Sequence, residues 1–141
     1  PLVVIISTII PLSLATGIVW QYLSSFKIAY LIFAIVGLLA IVITRTLPLK
    51  KKLALFVLVM AHGIAGLTIF LLPIFLVVTN RTTPGFILVS LGGALIGLGG
   101  LLLALLKGGK PLLTRETIFR ILPSLLLLMT AAFVAGFSLA Q

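Results

Sequence analysis

The 141-residue chain has no cysteine, no aspartate, one glutamate (Glu116) and one histidine (His62). Without cysteine there are no disulfides, iron–sulfur clusters, thiolate metal sites or cysteine nucleophiles. With one acid, mechanisms that divide acid and base work between two carboxylates have no residues to use. A Ser-His-Asp triad lacks its aspartate. Zinc sites built from several histidines and carboxylates lack ligands. No phosphate-binding loop is present, and Lys107 to Lys110 (KGGK) is at most a weak anion nest. Charged residues make up only 8% of the chain, against about a quarter in soluble domains. So few charges cannot clothe a water-facing surface.

What remains is apolar. Hydrophobic residues make up 62%, and they come in long uniform runs rather than at amphipathic spacing. That pattern points to lipid as the solvent. A membrane barrel would show alternating polarity instead. About 20 apolar residues cross the hydrocarbon as a helix, and five segments meet or approach that length: 2–23, 28–44, 53–79, 86–106 and 118–140. The expected fold is therefore all-α, an integral membrane bundle of five transmembrane helices forming one transmembrane domain over residues 1–141. The second segment is short, and the third is long enough to tilt or protrude. Pro11, Pro73 and Pro123 fall within these segments, where neighbouring helices can satisfy the freed carbonyls.

The first residue is Pro1 rather than Met. Removal of an initiator Met and cleavage of a presequence both fit that start. A secretion signal needs basic residues before its apolar stretch, whereas the first base here, Lys27, follows it. The first segment is therefore expected to be a true membrane helix.

The breaks carry ordinary turn chemistry. Pro84 is placed to begin the fourth helix. The glycines after Lys107 suit a helix C-terminus, and Thr114 is positioned to cap the last helix. The ten bases sort by loop. The first loop holds Lys27; the second Arg45, Lys50, Lys51 and Lys52; the third Arg81; the fourth Lys107, Lys110 and Arg115, with Arg120 just beyond. This one–four–one–four alternation is what the positive-inside rule produces for five spans with the N-terminus inside and the C-terminus outside (N-in/C-out). The basic loops then lie on the cytoplasmic or equivalent inner side, against anionic lipid headgroups. A net charge of +9 could suggest nucleic acid, but no basic face or binding module accompanies it, so no nucleic-acid partner is expected. Trp20, Tyr22 and Tyr30 fall near the outer ends of their segments, as an interfacial aromatic belt does.

Three features bear on function. In the fourth segment Ser90, Gly93, Gly97, Gly100 and Ala104 recur at intervals that keep them on one helix face. Gly92 and Gly99 widen it. Such a smooth face lets another backbone approach closely, either within this chain or from a neighbouring subunit or flat cofactor. The second feature is His62, about 14 Å from the basic end of its segment at 1.5 Å per residue, where ionisable residues are costly. Gly66 lies one turn on. A neutral imidazole hydrogen-bonded to a neighbouring helix fits this setting. So does an axial ligand for a tetrapyrrole (haem iron or chlorophyll magnesium) with Gly66 smoothing its flank, or a proton relay. Two histidine ligands to one haem within this chain are excluded. The third feature is a scatter of serines and threonines without a buried Asp, Glu, Asn or Gln in any span, which disfavours proton- or sodium-coupled transport. No filter-like stretch marks a selective pore.

The leading reading is a non-catalytic integral membrane subunit of a larger complex, with a packing, assembly or cofactor-pocket role. Its expected partners are membrane lipids and other membrane subunits, or a second copy of itself, met through the fourth helix. The alternatives are a tetrapyrrole-binding electron-transfer or light-harvesting subunit acting through His62, and a small oligomeric channel or carrier.

Overall fold

A computed structural model describes residues 2–48 and 50–140. Pro1, on which the question of the native start turns, lies outside the described residues. The described secondary structure is helical throughout: α1 (Leu2–Tyr22), α2 (Lys27–Thr46), α3 (Lys51–Val78), a 3₁₀ turn (Pro84–Phe86), α4 (Ile87–Lys107) and α5 (Arg115–Ser138). Five helices are long and apolar enough to cross a membrane. The side chains corroborate this. Ile6, Leu39, Phe56, Val78 and Leu127 are among many large apolar groups that stand exposed, whereas the buried positions include Ala15, Ala61 and Ala65, with Gly92 and Gly99 on α4. A water-soluble bundle would place large apolar groups inside. This is an integral membrane protein.

The helix ends explain why the segments stop where they do. At the end of α3, Asn80 adopts a left-handed conformation (φ 54°). Arg81 then donates its amide to Leu76 at 2.8 Å, and Asn80 donates to Val77 at 3.0 Å. At the end of α4, Gly109 takes φ 74°, with Lys110 donating to Leu105 at 3.1 Å and Gly109 to Leu106 at 3.3 Å. Both are Schellman closures, which satisfy carbonyls that lack intrahelical partners. Thr114 caps α5, accepting the Thr117 amide at 3.2 Å, so that helix begins at Arg115 rather than Ile118. α2 extends two residues beyond the expected Thr44, to Thr46. α3 begins at Lys51, so Lys51 and Lys52 form its first turn instead of preceding it. Lysines there oppose the helix dipole, and a place at the lipid headgroups accounts for them better than capping does.

The chain divides into two compact units, residues 1–69 and 70–141. In the first, α1 packs on α2. Thr8, Leu12, Ala15, Ile18 and Val19 form the buried face of α1, at three- and four-residue steps. α2 also meets the first part of α3. Tyr30 Oη donates to Thr68 Oγ1 at 3.0 Å, and two turns further along α2 a Cβ on Gly37 would lie 3.7 Å from the Ala61 Cβ, two turns back along α3. These paired contacts fix an antiparallel register. Tyr30 thus ties two helices together as well as lying near a helix end.

In the second unit α4 and α5 form a close antiparallel hairpin. A Cβ on Gly136 would sit 2.7 Å from both the amide nitrogen and Cγ2 of Val89, and one on Gly92 would sit 2.7 Å from the Phe133 ring. A Cβ on Gly99 would touch Leu125 at 3.4 Å. The 3₁₀ turn closes the far end: Thr83 donates its hydroxyl to the Leu139 carbonyl, and Phe86 packs edge-on against Phe137 with ring centroids 5.8 Å apart. Replacing Gly136 by Leu is expected to cost about 1–3 kcal/mol, the usual range for overpacking, because backbone of α4 stands where the side chain must go. Gly97→Leu should leave the hairpin intact, since a Cβ there meets nothing within 4 Å. Reversible unfolding of the two variants in mixed micelles measures the contrast; equal losses would contradict it.

Candidate functional site

The small-residue face of α4 is not uniformly placed. Ser90 is buried, Gly93 is half-buried, and Gly97, Gly100 and Ala104 are exposed. The contact with α5 runs instead along Val89, Gly92 and Gly99. One residue of offset turns a helical position by about 100°, so the two glycine lines look in different directions. Gly92 and Gly99, which the sequence offers only as flanking glycines, are the ones that let α5 approach. Their counterpart is Ala132 with Gly136 on α5, both buried. That pair is itself a small-xxx-small spacing and could have been found by scanning α5 as closely as α4. Beyond Gly93 the remaining line (Gly97, Gly100, Ala104) is left as a smooth exposed strip, and a Cβ on Gly97 or Gly100 would meet nothing within 4 Å.

His62 lies in α3 beside the buried positions Ala61 and Ala65 and is itself half-buried. Its Nδ1 is buried with no hydrogen-bond partner among the described residues. Gly63 and Gly66 are exposed, with open space where a Cβ would be. One side of that turn of α3 is therefore open. Among the described residues no three His, Cys, Asp or Glu side chains gather into a metal site.

Most hydroxyls in the spans are spoken for by their own helices. Thr16 donates to Leu12 at 2.6 Å, Thr44 to Ala40 at 2.8 Å, Thr130 to Leu126 at 2.9 Å and Ser138 to Val134 at 2.7 Å. Such back-bonding satisfies the hydroxyl without a partner helix, so these residues form no polar track. Thr68 does both, donating to Ile64 at 2.8 Å while accepting from Tyr30. Ser90 departs from the pattern: its Oγ is buried with no partner among the described residues.

No family model matches this chain, and no curated protein or solved structure matches it. The chemistry therefore has to be read from the residues themselves. They offer a close-packing surface, one imidazole and bases at helix ends. Arg115 stacks over Phe119 at 5.7 Å and Lys27 over Trp20 at 5.3 Å, both cation–π distances.

Ser90 supplies a test of the local energetics. A buried hydroxyl with no partner costs about 1–3 kcal/mol of desolvation, and removing it leaves a gap of only one oxygen. Ser90→Ala is therefore expected to be neutral or to stabilise by up to about 1 kcal/mol. Destabilisation in the same micelle assay would mean that Ser90 holds a hydrogen bond in the membrane.

Proposed function

We propose that this chain is a non-catalytic integral membrane subunit of a larger membrane complex, and that its fourth helix docks a transmembrane helix of a neighbouring subunit. The observation that carries the reading is the second glycine line of α4. Glycine costs up to about 1 kcal/mol in a helix interior relative to alanine. The contact with α5 accounts for Gly92 and Gly99, but Gly97 and Gly100 face open space. A close external neighbour gives them a use, because association of helices in lipid rests on dispersion contacts at short backbone separation. The residue inventory supports a role without catalysis: one acid, one histidine and no cysteine leave little chemistry to perform.

The orientation proposed is N-in/C-out. Eight of the ten bases (Arg45, Lys50, Lys51, Lys52, Lys107, Lys110, Arg115 and Arg120) fall at the ends where α2 and α4 finish and where α3 and α5 start, against Lys27 and Arg81 at the opposite ends. Because the chain has no cysteine, single cysteines report topology cleanly. A membrane-impermeant maleimide applied to intact cells should label Ser25→Cys, and should label the exposed Leu112→Cys only after permeabilisation. The reverse pattern would invert the orientation.

The assembly reading is tested by Gly97→Leu. Extracted in mild detergent, the native chain should travel with other membrane subunits, and the variant should lose them while keeping its helical content and unfolding midpoint. A native chain that purifies with no partner of any kind, and is indifferent to the substitution, would sink the reading. A second reading, axial ligation of a tetrapyrrole by His62, is favoured by the open flank at Gly63 and Gly66 beside it. It requires a visible absorption band in the chain extracted from its own membrane, and His62→Leu should abolish that band.

A further inference from the structure

Between α1 and α2 lies an open groove of about 760 Å³. It runs along α1 from Ile9 to Gln21 and is walled on the other side by α2 from Leu31 to Leu38. At 1.5 Å per residue the α1 wall rises about 18 Å, slightly more than half of a hydrocarbon core about 30 Å thick. The groove therefore has the depth of one leaflet. Its wall is apolar in effect. The hydroxyls of Ser13 and Thr16 reach it, but they donate to the Ile10 and Leu12 carbonyls at 3.0 and 2.6 Å. An occupant of this stretch has no wall donor to satisfy.

The end of the groove nearest the α1–α2 turn is different. Trp20 and Gln21 line it, and the Lys27 ammonium stands 5.3 Å from the Trp20 ring centroid. Lys27 begins α2, and Phe26 gives that helix end no side-chain cap, so its first amides add to the positive potential. The chain's single acid, Glu116, belongs to the first turn of α5, in the other compact unit. Nothing in the sequence near Lys27 can neutralise it.

We propose that this groove is a binding site for one anionic phospholipid, with an acyl chain lying between Ile9–Gly17 and Leu31–Leu38 and the phosphate set against Lys27 beside Trp20. The order of features selects a lipid over a docked helix. A lipid of this class carries a long apolar chain and then a negative group, the sequence the groove presents from its floor to its mouth. A helix would have to bring its own carboxylate to the interface at one particular turn. An indole at the mouth also suits the headgroup level, where tryptophan is enriched.

Trp20 is the only tryptophan, so the native chain carries its own probe. The purified protein would be reconstituted into mixed phosphatidylglycerol and phosphatidylcholine vesicles in which only one of the two lipids has brominated acyl chains, which quench indole fluorescence on contact. Each variant is normalised to its own unbrominated vesicles. At equal mole fraction, brominated phosphatidylglycerol should occupy the site beside Trp20 about fivefold more than phosphatidylcholine, the preference one lysine confers at an anionic surface. Lys27→Gln should remove the preference and Lys27→Arg should keep it. Gly17→Leu fills the groove from a position where a Cβ meets nothing within 4 Å. It should abolish the preference although Lys27 remains, and Ile35→Phe, filling the groove from the opposite wall, should do the same.

Equal quenching by the two lipids overturns the proposal. So does a preference that survives both groove-filling variants, which would mean ordinary attraction of anionic lipid to a basic surface. If neither lipid quenches Trp20 beyond a few per cent, a helix of another subunit or a second copy occupies the groove, and the proposal also fails.

Discussion

In hydrocarbon, a peptide N–H or C=O without a partner costs several kcal/mol, and no water is present to supply one. That constraint shapes this molecule more than any side chain does. It makes each span a helix, and it makes the helix ends the places where the design has to be explicit. The ends of α3 and α4 close on themselves through Asn80 and Gly109, and α5 opens on the Thr114 hydroxyl. Side-chain hydroxyls obey the same rule one level up. Nearly all of those described in the spans return their proton to a carbonyl of the same helix. A hydroxyl used this way is silent toward its neighbours, so polarity in the sequence does not translate into polarity between helices. Tyr30 with Thr68 is where it does.

Once backbone groups are satisfied internally, helices in lipid gain little from hydrophobicity, because the surrounding tails are as apolar as leucine. Proximity has to do the work. α4 and α5 achieve it by deleting side chains where they cross: Gly136 lies against the Val89 backbone and Gly92 against Phe133. The first unit uses alanine for the same purpose on α3, at Ala54, Ala61 and Ala65, with Gly37 facing Ala61. The large residues are displaced outward into lipid. Phe86, Ile18, Ile41, Leu76 and Ile118 are buried all the same, so small residues mark the closest helix crossings and not the whole interior.

Length and uniform hydrophobicity made the five helices legible in the sequence, because a span is a one-dimensional requirement. Their ends were legible where a residue type has a single strong use, as with Thr114, Pro84 and the glycines after Lys107. The starts of α3 and α5 were misplaced by two and three residues for opposite reasons. Lys51 and Lys52 look like loop because they are charged, yet a helix can carry lysines into the headgroup region. Arg115 and Glu116 look like loop for the same reason, yet they follow a good cap. The site was harder to read. The spacing of Ser90, Gly93, Gly97, Gly100 and Ala104 identified a smooth face, but one helix cannot reveal which of two adjacent glycine lines its neighbour occupies. That choice depends on the partner's own small residues, Ala132 and Gly136, and on where Phe133 goes between them. The open groove beside Gly17 had no sequence signal at all, since it arises from two helices together.

Charge follows a separate logic. Ten bases and one acid cannot neutralise one another, so electrostatics contributes little to holding the helices of this chain to each other. The positive charge is instead concentrated at helix ends. Lys27 over Trp20 and Arg115 over Phe119 illustrate the local solution, in which a cation at a helix end rests on an aromatic face rather than on a carboxylate. Such contacts hold the side chain in position but leave its charge uncancelled, and an uncancelled charge at a low-dielectric boundary attracts whatever anion the membrane provides. Any subunit that docks beside the base-rich ends of these helices must therefore either present acidic loops there or sit across anionic lipid. The same excess of base restricts the chain's company.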